Sequence, residues 1–102
     1  MRFRLFTLIL LLATCYSQAG VPESGIDSLR TYLKHPENDS LRVLALNRLA
    51  YELVTRSEFD EVPALVEEAR AVSAKINDSY SLSFAVSNLG TYYYMQGKYA
   101  KA

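Results

Sequence analysis

The stretch "VSNLGTYYYMQGKYAKA", residues 86–102, decides how this chain is read. Leu89 and Tyr93 stand four residues apart, so in a helix they share one face, and Val86 joins them three residues earlier. Gly90 has no side chain and would let a second helix approach closely. Gly97 offers the positive φ of a tight turn. Tyr99 and Ala102 would then open a second helix on its buried side. Read this way, Tyr93 and Tyr99 are packing residues and carry no chemistry.

Moving outward, the same pattern recurs 40 residues earlier. Leu46, Leu49, Ala50, Leu53 and Phe59 match Val86, Leu89, Gly90, Tyr93 and Tyr99. Each copy reads as a helix, a short break at "TRSEFD" or "MQGKYA", and a second helix. The tripeptide "NDS" precedes both copies, at Asn38–Ser40 and Asn77–Ser79, and Asp or Ser there suits a helix N-cap. Cap chemistry explains both tripeptides without invoking glycosylation. Pro63 would break a helix capped at Ser57. A start capped by Asp60 moves Pro63 into the first turn, where a missing N–H costs little. Upstream, Ser24 with Asp27 fits an N-cap, and Ile26, Leu29 and Leu33 share a helical face. That helix should stop near His35, ahead of Pro36.

A period of this length with two helices per unit signals a helical repeat array. The second copy resembles the tetratricopeptide repeat family, whose pattern is a large residue, Leu-Gly, Tyr, a turn glycine, an aromatic and a small residue. Val86, Leu89, Gly90, Tyr93, Gly97, Tyr99 and Ala102 stand in those places in order. In the first copy Leu53 replaces the tyrosine, Ser57 the turn glycine, and Val62 and Val66 fill the small and aromatic places. The resemblance implies an all-α fold of antiparallel helix-turn-helix repeats in a right-handed α-solenoid. Leu46, Leu49, Ala50 and Leu53, with the seven residues of the second copy, would be its packing positions. The division expected is 1–19 signal peptide, 20–40 linker and leading half-repeat helix, 41–79 degenerate repeat, and 80–102 a repeat's first helix with the start of its second.

The beginning of the chain reads as an export signal: "MRFR" is basic and "LFTLILLLA" is apolar but far shorter than the ~20 residues a span needs. "SQA" sets small residues for cleavage after Ala19. The alternative is lipoprotein processing at Cys15, because "LATC" resembles a lipobox. Cys15 is the only cysteine, so a chain cut after Ala19 has no disulfide or thiol chemistry. Basic and acidic residues balance at 11 each. With Arg2 and Arg4 in the signal, the remainder is slightly acidic, which argues against a nucleic-acid partner.

No catalytic, cofactor or metal constellation is present. His35 is the single histidine, at a helix end, and the neighbouring Glu67 and Glu68 point in different directions, with Arg70 placed to pair with Glu67. A second helical face carries Leu44, Asn47, Tyr51 and Val54 in one copy and Phe84, Ser87, Thr91 and Tyr94 in the other. The resemblance implies that this side lines a groove for a protein or peptide partner. Asn47, Tyr51, Ser87, Thr91 and Tyr94 are the contact candidates. No Lys/Arg clamp stands on that face, so a carboxylate-gripping mode is not expected. The expected function is a non-catalytic interaction module, exported to the periplasm. It resembles the N-terminal sensor parts of bacterial signalling proteins such as sensor histidine kinases, whose membrane span and output domain would lie beyond Ala102. The alternative is an envelope scaffold or lipoprotein without signalling output. The face of Val86, Leu89 and Tyr93 lacks a covering helix, so the chain is expected to be part of a longer protein. The rival is a short protein that dimerises through that edge.

Overall fold

The computed structural model describes residues 25–100, with side-chain surroundings through Gly97. The signal-peptide reading, Cys15, the Ser24 cap, the Tyr99 side chain and Ala102 lie outside the described residues. Four α-helices follow one another: α1 (Ile26–Lys34), α2 (Asp39–Thr55), α3 (Val62–Lys75) and α4 (Ser79–Ala100). There is no strand among the described residues. The fold is all-helical.

Helix α2 is the hub, packing against α1, α3 and α4, while α3 and α4 also pack on each other. Its sequence suits that place. Val43, Ala45, Leu46, Leu49, Ala50, Leu53 and Val54 are all buried, so apolar residues occupy most of its circumference. Helix α1 contributes Leu29, fully buried, with Ile26 and Leu33 packed beside it. Burying one leucine is worth about 1.5–3 kcal/mol, and this one is the main anchor of a helix that packs on α2 and on no other helix. Helix α3 adds Val62, Val66, Ala69 and Val72.

The helix ends follow from local chemistry. Helix α1 stops before Pro36, with the His35 N–H bonded to the Tyr32 carbonyl. Its N-cap is Gly25 at φ 94°, a left-handed backbone that glycine adopts without a Cβ clash. Both α2 and α3 close in the same way. After α2, Ser57 takes φ 60°, its N–H reaches the Val54 carbonyl and the Glu58 N–H reaches that of Leu53. After α3, Asn77 takes φ 55°, with Asn77 bonded to Ala74 and Asp78 to Ser73. These are Schellman closures built on a non-glycine residue. Helix α3 starts with Pro63 in its first turn, but the cap position belongs to Glu61 and not to Asp60, and Glu61 makes no side-chain cap bond. The Phe59 carbonyl accepts from the Val62 N–H instead.

The two Asn-Asp-Ser copies cap their helices differently: α4 uses the expected aspartate, while α2 departs from the expectation by using the asparagine. Asn38 caps α2 through Oδ1, accepting from the Leu41 N–H at 2.8 Å. Asp78, not Asn77, plays that part for α4, accepting from the Ser81 N–H at 3.0 Å and the Ser81 hydroxyl at 2.6 Å. The tripeptides repeat at 39 residues and the caps at 40. In the second copy the asparagine is used up as the left-handed residue that ends α3.

The tight turn expected at Gly97 does not form. Helix α4 runs through it to Ala100, and the only described glycine at positive φ is Gly25. An interior glycine costs a helix about 1 kcal/mol, too little to end one whose hydrogen bonds continue on both sides. Nor is there a close helix approach at Gly90, where an added Cβ would meet nothing within 4 Å.

Candidate peptide groove between the second and fourth helices

Helices α2 and α4 lie side by side, tied by two buried side-chain bonds. Asn47 Nδ2 donates to the Ser81 carbonyl at 3.0 Å, and Asn88 Nδ2 donates to the Asn47 carbonyl at 3.0 Å. Both asparagines are 4% exposed. Asn47 therefore belongs to the seam between the helices and is not an exposed contact. Its Oδ1 is buried without a hydrogen-bond partner. Val54, on the same side of α2, is also buried.

Outside this seam, aromatic and aliphatic groups stay open to solvent. Tyr51 is 44% exposed and meets Phe84 edge-on, ring centroids 6.4 Å apart. Leu44, about two turns before Tyr51, is 46% exposed. On α4, Ser87, Thr91 and Tyr94 are exposed, and the Thr91 hydroxyl is turned back onto the Ser87 carbonyl at 3.0 Å. Tyr94 stands on the Phe84 side of α4, ten residues further on, about 15 Å along the axis. At the other end a cavity of about 160 Å³ opens between the helices, lined by Leu44, Asn47, Arg48, Tyr80, Ser81 and Phe84.

Arg48, Tyr80 and Ser81 were not on the face read from the sequence. Arg48 brings a single cation to the border of that face, where no clamp was expected. Its guanidinium lies 5.7 Å from the Tyr51 ring centroid, within cation–π range, and its Nε is 3.4 Å from Glu52. The available signal was spacing by four: Leu44 with Arg48, and Tyr80 with Phe84. At the floor, the Ser81 hydroxyl and N–H both bond Asp78 and hold its carboxyl below the usual range.

The packing positions divide. Leu46, Leu49, Ala50 and Leu53 are buried, and Leu89 is half-buried against the core. Val86 and Tyr93 are 50% and 63% exposed, on a side of α4 that no described helix covers. Tyr92, next to Tyr93, turns inward and meets Phe59 edge-on at 5.8 Å. Glu67 and Glu68 do diverge, Glu67 to Arg70 on its own helix and Glu68 to Arg42 on α2. Among the described residues no group of three His, Cys, Asp or Glu could hold a metal ion. No helix among them is long and apolar enough to cross a membrane.

Comparison with known protein families, characterised proteins and solved structures finds no match to this chain.

Proposed function

We propose that this chain is a tetratricopeptide-like helical repeat module that binds an extended segment of a partner protein along the groove between α2 and α4, without catalysis or cofactor. One observation carries the reading: Leu44, Tyr51, Tyr80 and Phe84 gather beside a cavity of about 160 Å³, with Arg48 at its rim. Aromatic rings fixed by neighbours supply contact area at little entropic cost. The cavity suits one apolar side chain, and Arg48 suits an acidic residue or carbonyl beside it. The recurrence of the cap bond at 40 residues, Asn38 to Leu41 and Asp78 to Ser81, supports two copies of one structural unit. The basic, then apolar start of the chain supports export to the periplasm, as the sensing part of a bacterial signalling protein.

Selection from a displayed library of random linear peptides, followed by amide chemical-shift mapping on the chain, tests this. Selected peptides should perturb Leu44, Arg48, Tyr51, Tyr80 and Phe84 together. Peptides that perturb only α1 or α3, or a library that yields no binder, would remove the reading.

A further inference from the structure

The groove carries an unbalanced charge. Glu52 stands about one turn after Arg48 and one turn before Arg56 on α2, and both arginines reach it. Arg48 Nε lies 3.4 Å from Glu52 Oε1, and Arg56 Nη2 lies 4.0 Å from Oε2. Two cations share one carboxylate, so this edge holds one positive charge in excess. The α4 wall offers nothing against it, because no residue from Ser79 to Gly97 is ionised at neutral pH. Asp78, just before α4, is engaged by the Ser81 N–H and hydroxyl. Among the residues lining the cavity, Arg48 alone is ionised.

Position makes that excess consequential. Arg48 borders the cavity beside Leu44, Tyr80 and Phe84, and its side chain is 44% exposed. Its guanidinium lies near the Tyr51 ring and meets Glu52 through Nε, at a distance longer than a charge-assisted hydrogen bond. Among the described residues its two terminal nitrogens pair with no carboxylate. A segment that seats an apolar side chain in the cavity also draws water away from this guanidinium. Covering a charge without supplying a counter-charge is costly. A backbone carbonyl leaves the excess in place, whereas a carboxylate cancels it and fits the planar fork of the arginine. Releasing Glu52 strands no charge, because Glu52 keeps Arg56.

Building on the groove as the binding site, we propose that the bound segment carries a carboxylate next to the apolar residue that fills the cavity. Arg48 exchanges Glu52 for that carboxylate, and Glu52 stays with Arg56. The acid is held at one point, by one guanidinium. It comes from an aspartate or glutamate side chain or from a free C-terminus.

Fluorescence anisotropy tests this with peptides selected from the random library and mapped by amide shifts to Leu44, Tyr51 and Phe84. Each is made with its acidic side chains intact or as carboxamides, and with a free or an amidated C-terminus, so the two sources of carboxylate separate. One of these neutralisations should weaken binding about tenfold, as for the loss of a charge-assisted hydrogen bond. On Arg48→Gln the acid and its carboxamide should bind alike. Arg48→Glu should prefer a peptide with lysine in place of the acid. Glu52→Gln frees Arg48 and should bind the acid about two- to fivefold more tightly, with no gain for the carboxamide. Arg70→Gln removes a charge on α3 and should change nothing. Circular dichroism checks that each variant keeps its helix content. Groove-mapped peptides that bind equally well when neutralised overturn the proposal and leave the groove standing. So does an Arg48→Gln chain that weakens acid and carboxamide by the same factor, or an Arg48→Glu chain with no preference for lysine. A library that yields no groove binder removes the groove and this proposal together.

Discussion

Asn88 donates its side-chain amide to the backbone carbonyl of Asn47, 41 residues earlier, at 3.0 Å. Asn47 in turn donates to Ser81, so the two helices that form the groove are held by a buried polar seam. Removing one partner of a buried hydrogen bond costs about 1–3 kcal/mol. Asn88→Ala should therefore lower stability by that amount in urea unfolding. Asn47→Ala should do the same, and the double variant should fall short of the sum, because the two residues share one network.

Anchoring of α1 should depend on Leu29 far more than on its ion pair. Leu29 is fully buried, and Leu→Ala at such sites costs about 2–5 kcal/mol. Arg30 reaches Glu61 at 2.5 Å, which holds the Glu61 carboxyl low, yet both side chains are largely solvated. Exposed pairs contribute about 0–1 kcal/mol. Amide exchange across residues 26–34 should accelerate strongly in Leu29→Ala and only slightly in Arg30→Ala.

Ser57 holds φ 60° to close α2. A left-handed backbone costs a residue with a Cβ about 1–2 kcal/mol, partly offset by the greater unfolded-state freedom of glycine. Ser57→Gly should raise stability by up to about 1 kcal/mol, and Ser57→Val should lower it, as read by thermal unfolding.

Acid should loosen the start of α4 before that of α2. The Asp78 carboxyl is held below its ordinary range by the Ser81 hydroxyl first and the Ser81 N–H second. A depressed carboxyl contributes stability that is complete above its unfolded pKa and is lost as pH falls through the lower, folded value. The melting temperature should therefore decline on acidification from neutral pH, and less so in Asp78→Asn. Asn38, the cap of α2, has no charge to lose, so Asn38→Ala should cost about 1 kcal/mol with little pH dependence.

Within the groove, Phe84→Ala removes both the ring partner of Tyr51 and one wall of the cavity. Peptides selected on the parent chain should bind it at least about tenfold more weakly, the loss of one well-packed aromatic contact. Titration by fluorescence anisotropy checks this.

Local pattern carried much of the fold and less of the groove. Leu46, Leu49, Ala50 and Leu53 recur at helical spacing, and Pro36 and Pro63 mark helix ends, so the helices are legible in the letters. The burial of Asn47 is not, because its partner, the Ser81 carbonyl, is supplied by a helix 34 residues away. The place of Arg48 is not legible either, for a related reason. It projects about 100° round the helix from Asn47, and only the placement of α4 brings that direction to the groove. Gly97 misled through its identity: glycine permits a turn, but nothing after it compels one.

The two helix starts that lie 40 residues apart, although their tripeptides lie 39 apart, leave the connecting segment no freedom in length. Losing or gaining one residue between Arg56 and Asp78 would have to be absorbed in one of two loops, each already committed to a left-handed closure. Otherwise it would swing α4 by about 100°, bringing its tyrosines inward and throwing Asn88 out to water.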